Sequence, residues 1–147
     1  MGMYMLTVIR PDRKPSRHTK AQILRLDRKY LTGNYLTEKE LDRGILFGRM
    51  YNGIVVAYVL LEQYPATYII RSVVIVPEYR GEGMAKALVK SCMRWVRRQE
   101  VNTIHTYASA TNYPSINMLV GVGFKVIRSV YCKHKTDPNW ISFKIQL

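Results

Sequence analysis

Cysteine is scarce in this chain of 147 residues: Cys92 and Cys132 are the only two. Two thiols build no disulfide framework. Cys92 falls on the apolar face of a helical pattern, where a buried thiol is the plain reading. Histidine is scarce as well. His18, His105 and His134 stand at no metal-ligand spacing and no cysteine joins them, so no metal site is expected. Long apolar runs are missing too. The longest, Ile54 to Leu61, is far too short to cross a bilayer. The N-terminus carries no signal-peptide pattern, so a cytoplasmic location with no membrane partner is expected. Repeats, low-complexity tracts and linkers are absent, which points to one domain over residues 1–147.

Acid is the other shortage. Ten Asp and Glu face 23 Lys and Arg, a net charge of +13. Such an excess favours polyanionic partners, RNA, DNA or acidic protein surfaces, although it says nothing about fold. Hydrophobic residues make up 48% of the chain, enough for a packed core and against disorder.

The apolar pattern supplies the elements. Tyr4 to Arg10 reads as a first strand, ended by Pro11. Pro11 to Pro15 is a basic loop. Ser16 or Thr19 caps a helix that reaches about Tyr30, with Ile23, Leu24, Leu26 and Tyr30 inward. Thr37 and Glu40 form a capping box for a short helix over Glu38 to Arg43. Ile45 to Tyr51 and Ile54 to Glu62 are strands, joined by Asn52-Gly53, a pair suited to the positive φ angles of a type I′ turn. Thr67 to Val76 follows, and its Val73-Val74-Ile75-Val76 run predicts a central strand buried on both faces. Met84, Leu88, Cys92, Trp95 and Val96 then recur at helical spacing, while Lys86, Lys90, Arg94 and Arg97 or Arg98 form another face, read most simply as solvated. Thr103 to Ala108 is a strand. Pro114 opens a short helix that Gly121 or Gly123 ends. Lys125 to Lys133 and Trp140 to Gln146 are the last strands, with a turn from His134 to Asn139. The order β-α-α-β-β-β-α-β-α-β-β predicts an α/β (α+β) domain, a mixed central sheet flanked by helices.

One loop carries chemistry. Arg80-Gly81-Glu82-Gly83-Met84-Ala85 lies between a strand and a long amphipathic helix. The first amides of a helix have no intrahelical partner, and the macrodipole adds positive charge, so this position suits a phosphate. Gly81 and Gly83 let the backbone approach such an anion without a Cβ in the way, and Ala85 is small for the same reason. Glu82 would point its acid away. The letters alone are a weak signal; the strand before and the helix after are what strengthen it.

Val73 to Leu88, VVIVPEYRGEGMAKAL, resembles the central motif of the GNAT superfamily of acyl-CoA-dependent N-acetyltransferases. Asn112 to Phe124, NYPSINMLVGVGF, resembles that family's second motif. The element order agrees over nearly the whole chain. The resemblance implies a GNAT-like fold and acetyl-CoA as acyl donor. It implies that backbone groups of Val73, Val74 and Ile75 pair with the pantetheine arm. The amides of Gly81, Glu82, Gly83, Met84, Ala85 and Lys86 would hold the pyrophosphate, with Arg80 at the motif's first position, and Asn112 would hydrogen-bond the cofactor. A backbone N–H near Val74 would polarise the thioester carbonyl.

The sequence departs from that pattern where protons move. Many relatives carry a general-acid Tyr at the position of Leu119, and several a general-base Glu at the position of Tyr107. Tyr107 is therefore the candidate catalytic residue, through its hydroxyl or an ordered water; packing or substrate positioning is its simpler reading. Other residues read more plainly: His105 as structural or exposed, Glu62 as a solvated strand end, Ser115 as support for its helix turn. Tyr64, Tyr68, Tyr113 and Tyr131 are candidates to line an acceptor site.

The expected function is acetyl transfer from acetyl-CoA to an amine: a protein amine, an aminoacyl-tRNA or a small amine. The alternatives are a non-catalytic acetyl-CoA-binding module with a polyanionic or protein partner, and transfer of another group onto a nucleobase. Arg10, Arg13, Lys14, Arg17, Lys20, Arg25, Arg28 and Lys29 crowd the first strand end and first helix. The resemblance puts this helix beside the acceptor. A cationic rim there would favour tRNA or a nucleic-acid-bound protein over a small neutral amine. Oligomeric state is left open, a dimer among the options.

Overall fold

Local chemistry sets the element ends. The computed structural model describes residues 6–31, 35–133 and 135–147. Strand β1 spans Leu6–Ile9; Tyr4 and Met5 of the expected strand lie outside the described residues. Helix α1 spans Arg17–Tyr30 and is capped by Ser16, whose Oγ accepts from the Thr19 amide at 3.1 Å. Helix α2 spans Glu38–Arg43 behind the expected capping box of Thr37 and Glu40. Strands β2 (Ile45–Tyr51) and β3 (Ile54–Gln63) turn at Asn52 (φ 51°) and Gly53 (φ 79°), the two positive angles a type I′ turn needs.

Strand β4 spans Tyr68–Ile75, a 3₁₀ turn Pro77–Tyr79, helix α3 Met84–Arg97, strand β5 Thr103–Ser109, and helix α4 Tyr113–Gly121. Strands β6 (Lys125–Tyr131) and β7 (Asn139–Gln146) finish the chain; His134 of the expected turn lies outside the described residues. The seven strands form one sheet in the order β1-β2-β3-β4-β5-β7-β6, with β4 and β5 its parallel pair. Among the described residues no helix is long and apolar enough to cross a membrane.

Two cores pack on opposite faces of the sheet. Alternate β3 residues feed each of them: Tyr58 and Leu60 with Ile23, Leu36 and Leu41 under α1 and α2, and Val59 and Leu61 with Leu88, Cys92 and Val96 under α3. The fully buried central strand is therefore β3, over Val55–Leu61, and not β4 as its apolar run predicts. Buried and half-buried residues alternate along β4. The reason is its neighbour: β5 pairs with only the first part of β4.

Helix α1 buries Thr19, beside its cap, and two further polar residues that its apolar pattern does not reveal. Gln22 closes the β2–β3 turn, accepting from the Val55 amide at 2.9 Å and donating to the Gly53 carbonyl at 3.0 Å. Asp27 is 1% exposed. Its carboxyl accepts from the Tyr58 hydroxyl (3.0 Å), the Leu36 amide (2.8 Å) and the Ser72 hydroxyl (3.4 Å). Burial, and then the adjacent Asp27, push the Tyr58 phenol far above its ordinary pKa, so it stays a donor. Tyr58→Phe removes one donor from a buried acceptor. It should lower unfolding stability by about 1–3 kcal/mol. An unchanged urea midpoint would show that this hydroxyl contributes nothing.

Candidate functional site

The sheet opens between β4 and β5. Their register holds for two pairs, Tyr68 with Ile104 and Ile69 with His105, while β5 stays paired with β7 along its whole length. The parting starts beside a β-bulge. Leu60 pairs with Ser72 and Leu61 with Ile70, leaving Arg71 as the extra residue. A side chain bridges the fork where the backbones separate: the Thr106 hydroxyl donates to the Ile70 carbonyl at 3.4 Å.

The ladder fixes which backbone groups face the opening. The Val76 amide donates to the Val56 carbonyl at 2.9 Å, so pairing with β3 continues at Val74 opposite Tyr58. Val73 and Ile75 fall at the alternate positions and turn their N–H and C=O groups toward the opening. Of the three residues expected to meet a pantetheine arm, Val73 and Ile75 point the right way, while Val74 points at β3. The Ile75 carbonyl already accepts from Arg80 Nε at 2.9 Å.

The loop at the C-terminal end of β4 is built for an anion. Gly81 (φ 83°) and Gly83 (φ 76°) both take the left-handed conformation, and a Cβ on either would meet no atom within 4 Å. Space for a ligand and backbone freedom coincide there. Gly83 caps α3 without a side chain, and the first turn carries no acid. The first helical bond runs from the Ala87 amide to the Gly83 carbonyl at 3.0 Å. The amides of Met84, Ala85 and Lys86 therefore stand ahead of the helical ladder, at the positive end of the dipole. Glu82 is exposed, and Arg80 lies over the Tyr30 ring at 5.7 Å. These residues fit a diphosphate.

Helix α4 starts at the same end of the fork. Asn112 is its N-cap: Oδ1 accepts from the Ser115 amide at 3.3 Å. That bond uses one lone pair of the carboxamide oxygen and leaves the NH₂ end free of the cap. Ser115 serves the turn, as expected. Leu119 is buried in the core, so no proton-transfer group stands at its place. Tyr107 lies on β5 beyond the last pair with β4. Its ring is 49% exposed, and its hydroxyl has no hydrogen-bond partner among the described residues.

The other candidates divide by their end of the sheet. Glu62, Tyr64 and Tyr68 belong to the closed end, where β4 begins, and Tyr68 is buried edge-on to Trp95 at 5.6 Å. His105 is there too, its Nδ1 2.7 Å from the Thr67 hydroxyl; burial and then Lys144 hold its pKa below the ordinary value. Tyr113 and Tyr131 are at the open end and exposed. The basic residues divide similarly. Arg10, Arg13 and Lys14 border a groove beside β1, at the far edge of the sheet. Tyr30 at the other end of α1 meets the glycine loop. The expected rim therefore runs along α1: Arg13, Lys14 and Arg17 stand about a helix length, roughly 20 Å, from Tyr30, while Arg28 and Lys29 stand in the last turn beside it.

One knot at the open end has no counterpart in the sequence reading. Asp137 accepts from the hydroxyls of Ser109, in a short contact, and Thr111 (3.0 Å), and from the Asn139 amide (3.3 Å). The bond from Ser109, then that from Thr111, hold its carboxyl below the ordinary range. The Asp137 carbonyl accepts from Trp140 Nε1 at 2.7 Å, with Lys135 over that ring at 4.1 Å. The knot ties the β6–β7 turn to the end of β5 and the loop that leads into α4. The Asp137-Pro138-Asn139 turn chemistry is the signal that could have found it.

Comparison with known proteins agrees with this geometry. Residues 6–124 match the model of the acetyltransferase (GNAT) family. No curated protein matches the sequence. Among solved structures, the ribosomal-protein-S18-alanine N-acetyltransferase of Escherichia coli is similar at 16% identity and a TM-score of 0.79, over 97% of this chain and 94% of that one. NAA60 of Arabidopsis thaliana, in complex with acetyl-CoA, is similar at 12% identity and a TM-score of 0.80, over 97% and 100%. An IAA acetyltransferase of Bacillus cereus is similar at 15% identity and a TM-score of 0.72, over 99% and 100%. At such identities the likeness concerns the fold; the family match covers most of the chain, and the protein belongs to the GNAT acetyltransferase family.

Proposed function

We propose that this protein moves the acetyl group of acetyl-CoA to an amine acceptor at the β4–β5 fork. The observation that carries this reading is the coincidence of the opened β4 edge with the α3 terminus. Three amides without helical partners and two left-handed glycines stand where β4 ends. A diphosphate fits the terminus, and an extended pantetheine arm fits the strand edge through Val73 and Ile75. The amide NH₂ of Asn112 reaches the arm from the other wall. Solved relatives bound to CoA or acetyl-CoA support the donor.

The acceptor approaches from the opposite face. Ile104 and Ala108 of β5 pack toward α3, which turns Tyr107 to the other side of the sheet. There α1 and α2 cover only the strands up to β4. Acetyl transfer needs a neutral amine, a polarised thioester carbonyl and a proton for the leaving thiolate. Acetyl-CoA supplies the activated thioester. An outward strand amide of β4 polarises its carbonyl, and Val73 is placed for this better than Val74. Tyr107 offers the one exposed hydroxyl on β5 past the fork and is the residue that holds or moves a proton.

Acetyl-CoA should raise the melting temperature by linkage. Gly83→Glu sets an acid against the phosphates in a left-handed position and should abolish that rise; a rise equal to wild type would remove the phosphate loop from the proposal. Tyr107→Phe should lower kcat by roughly ten- to a thousandfold with acetyl-CoA affinity nearly intact. A wild-type kcat would reduce Tyr107 to positioning. Acetyl-CoA binding with no acetylation across protein, tRNA-borne and small amines, read by mass, would favour the non-catalytic module.

A further inference from the structure

The basic residues at the β1 edge and those near the fork are parts of one surface. Arg10, Arg13 and Lys14 line an open groove of about 550 Å³ whose floor is Leu6 and Val8 of β1. Helix α1 starts beside that groove, since Thr19 is also in its wall. Along its outer side α1 exposes Arg17, Arg25, Arg28 and Lys29, with Ile23 and Asp27 turned inward. Fourteen residues span roughly 21 Å. At the far end Arg28 lies over the Tyr35 ring at 5.5 Å, Lys29 over Tyr30 at 5.2 Å, and Arg80 of the glycine loop over Tyr30 at 5.7 Å.

Little acid offsets these charges. Asp27 is buried and Asp42 is paired with Lys20 at 2.6 Å. Asp12 is exposed beside the groove but forms no ion pair there. Among the described residues Arg10, Arg13, Lys14, Arg17 and Arg25 have no ion-pair partner. Like charges held in a row repel one another, and a bound polyanion relieves that repulsion while releasing its own counterions.

We propose that the groove and the outer face of α1 form a track for a nucleic-acid backbone, which brings an acceptor amine carried by that nucleic acid, or by a protein bound to it, to the fork. The shape of the charge selects this occupant. A strand of duplex carries one phosphate per roughly 3.4 Å of axis, so a track of this length meets about six in line. Nucleic-acid interfaces are much more positively charged than protein interfaces. Tyr35, half exposed beside Arg28, adds a face on which an unpaired base can stack. The inference deepens the acetyl-transfer reading by naming the acceptor's carrier, but the binding it predicts is measured without acetyl-CoA.

The test is the salt dependence of binding to a fluorescent RNA duplex. The combined variant Arg13→Ser, Lys14→Ser, Arg17→Ser should flatten the slope of log K against log salt by about three units, roughly one per lost phosphate contact. The variant Lys90→Ser, Arg97→Ser, Arg98→Ser removes equal charge from exposed positions on and just after α3 and should leave the slope near wild type. Equal flattening in both would show that net charge alone binds RNA and would overturn the track. So would displacement of the RNA by polyglutamate as effectively as by unlabelled duplex, which would mark an acidic-protein surface. An unchanged acetyl-CoA melting shift in the first variant shows that it is folded. Loss of that shift in wild type would sink acetyl transfer and leave the RNA slopes to be judged alone.

Discussion

Everything in the site follows from where β4 and β5 stop pairing. Two parallel strands that hold register for two pairs and then diverge leave a strand edge inside the protein. Buried backbone groups need partners, and here side chains supply two: Thr106 reaches the Ile70 carbonyl and Arg80 the Ile75 carbonyl. Val73 lies between them. The bulge at Arg71 sets the phase, because one extra residue decides which side each later amide faces. Without it, Val74 and not Val73 would turn toward the opening.

The walls of the fork are held from both faces. Asp27 gathers the end of α1, the chain before α2, and strands β3 and β4 around one carboxyl. Arg71, the bulge residue itself, pairs with Glu40 of the α2 capping box at 3.1 Å. Thus the segment between the helices is tied to the strand position where the sheet begins to open. On the other wall the Asp137 knot ties the β6–β7 turn to the end of β5 and the loop before α4.

What the sequence made legible was local. The Asn52-Gly53 turn, the Thr37 box and the glycine loop are written in contiguous residues, and each appears where expected. The glycines proved to have two reasons, space and positive φ, of which only the first was read. Long-range chemistry was not legible. Val73 to Ile75 look as buried as Val55 to Leu61 in composition, and only the departure of β5 distinguishes them. Asp27 sits in a basic helix and resembles a surface acid until Tyr58 and Ser72 are folded against it. Asn112 matches a family motif in sequence, and only the fold shows that its oxygen also caps α4. Which end of the 14-residue basic helix meets the glycine loop was likewise visible only in the fold, in the contact of Tyr30 with Arg80.

The scarcity of acid bears on the chemistry as well as on partners. An amine attacks only when neutral, and Tyr107 stands where the resemblance puts a carboxylate base. At the fork the C-terminal carbonyls of α1 would by themselves favour an ammonium. Arg28 and Lys29 occupy that last turn, and Arg80 joins them across Tyr30. The N-terminus of α3 adds its own positive end. Nearby positive charge disfavours a second positive charge, so it lowers the pKa of an approaching ammonium. A diphosphate held at the α3 terminus would oppose this, but from the glycine loop, while on the proposed reading the amine arrives on the α1 face. On the proposed reading a cationic α1 face would therefore serve two ends at once, drawing a polyanion to the protein and helping its amine to give up a proton.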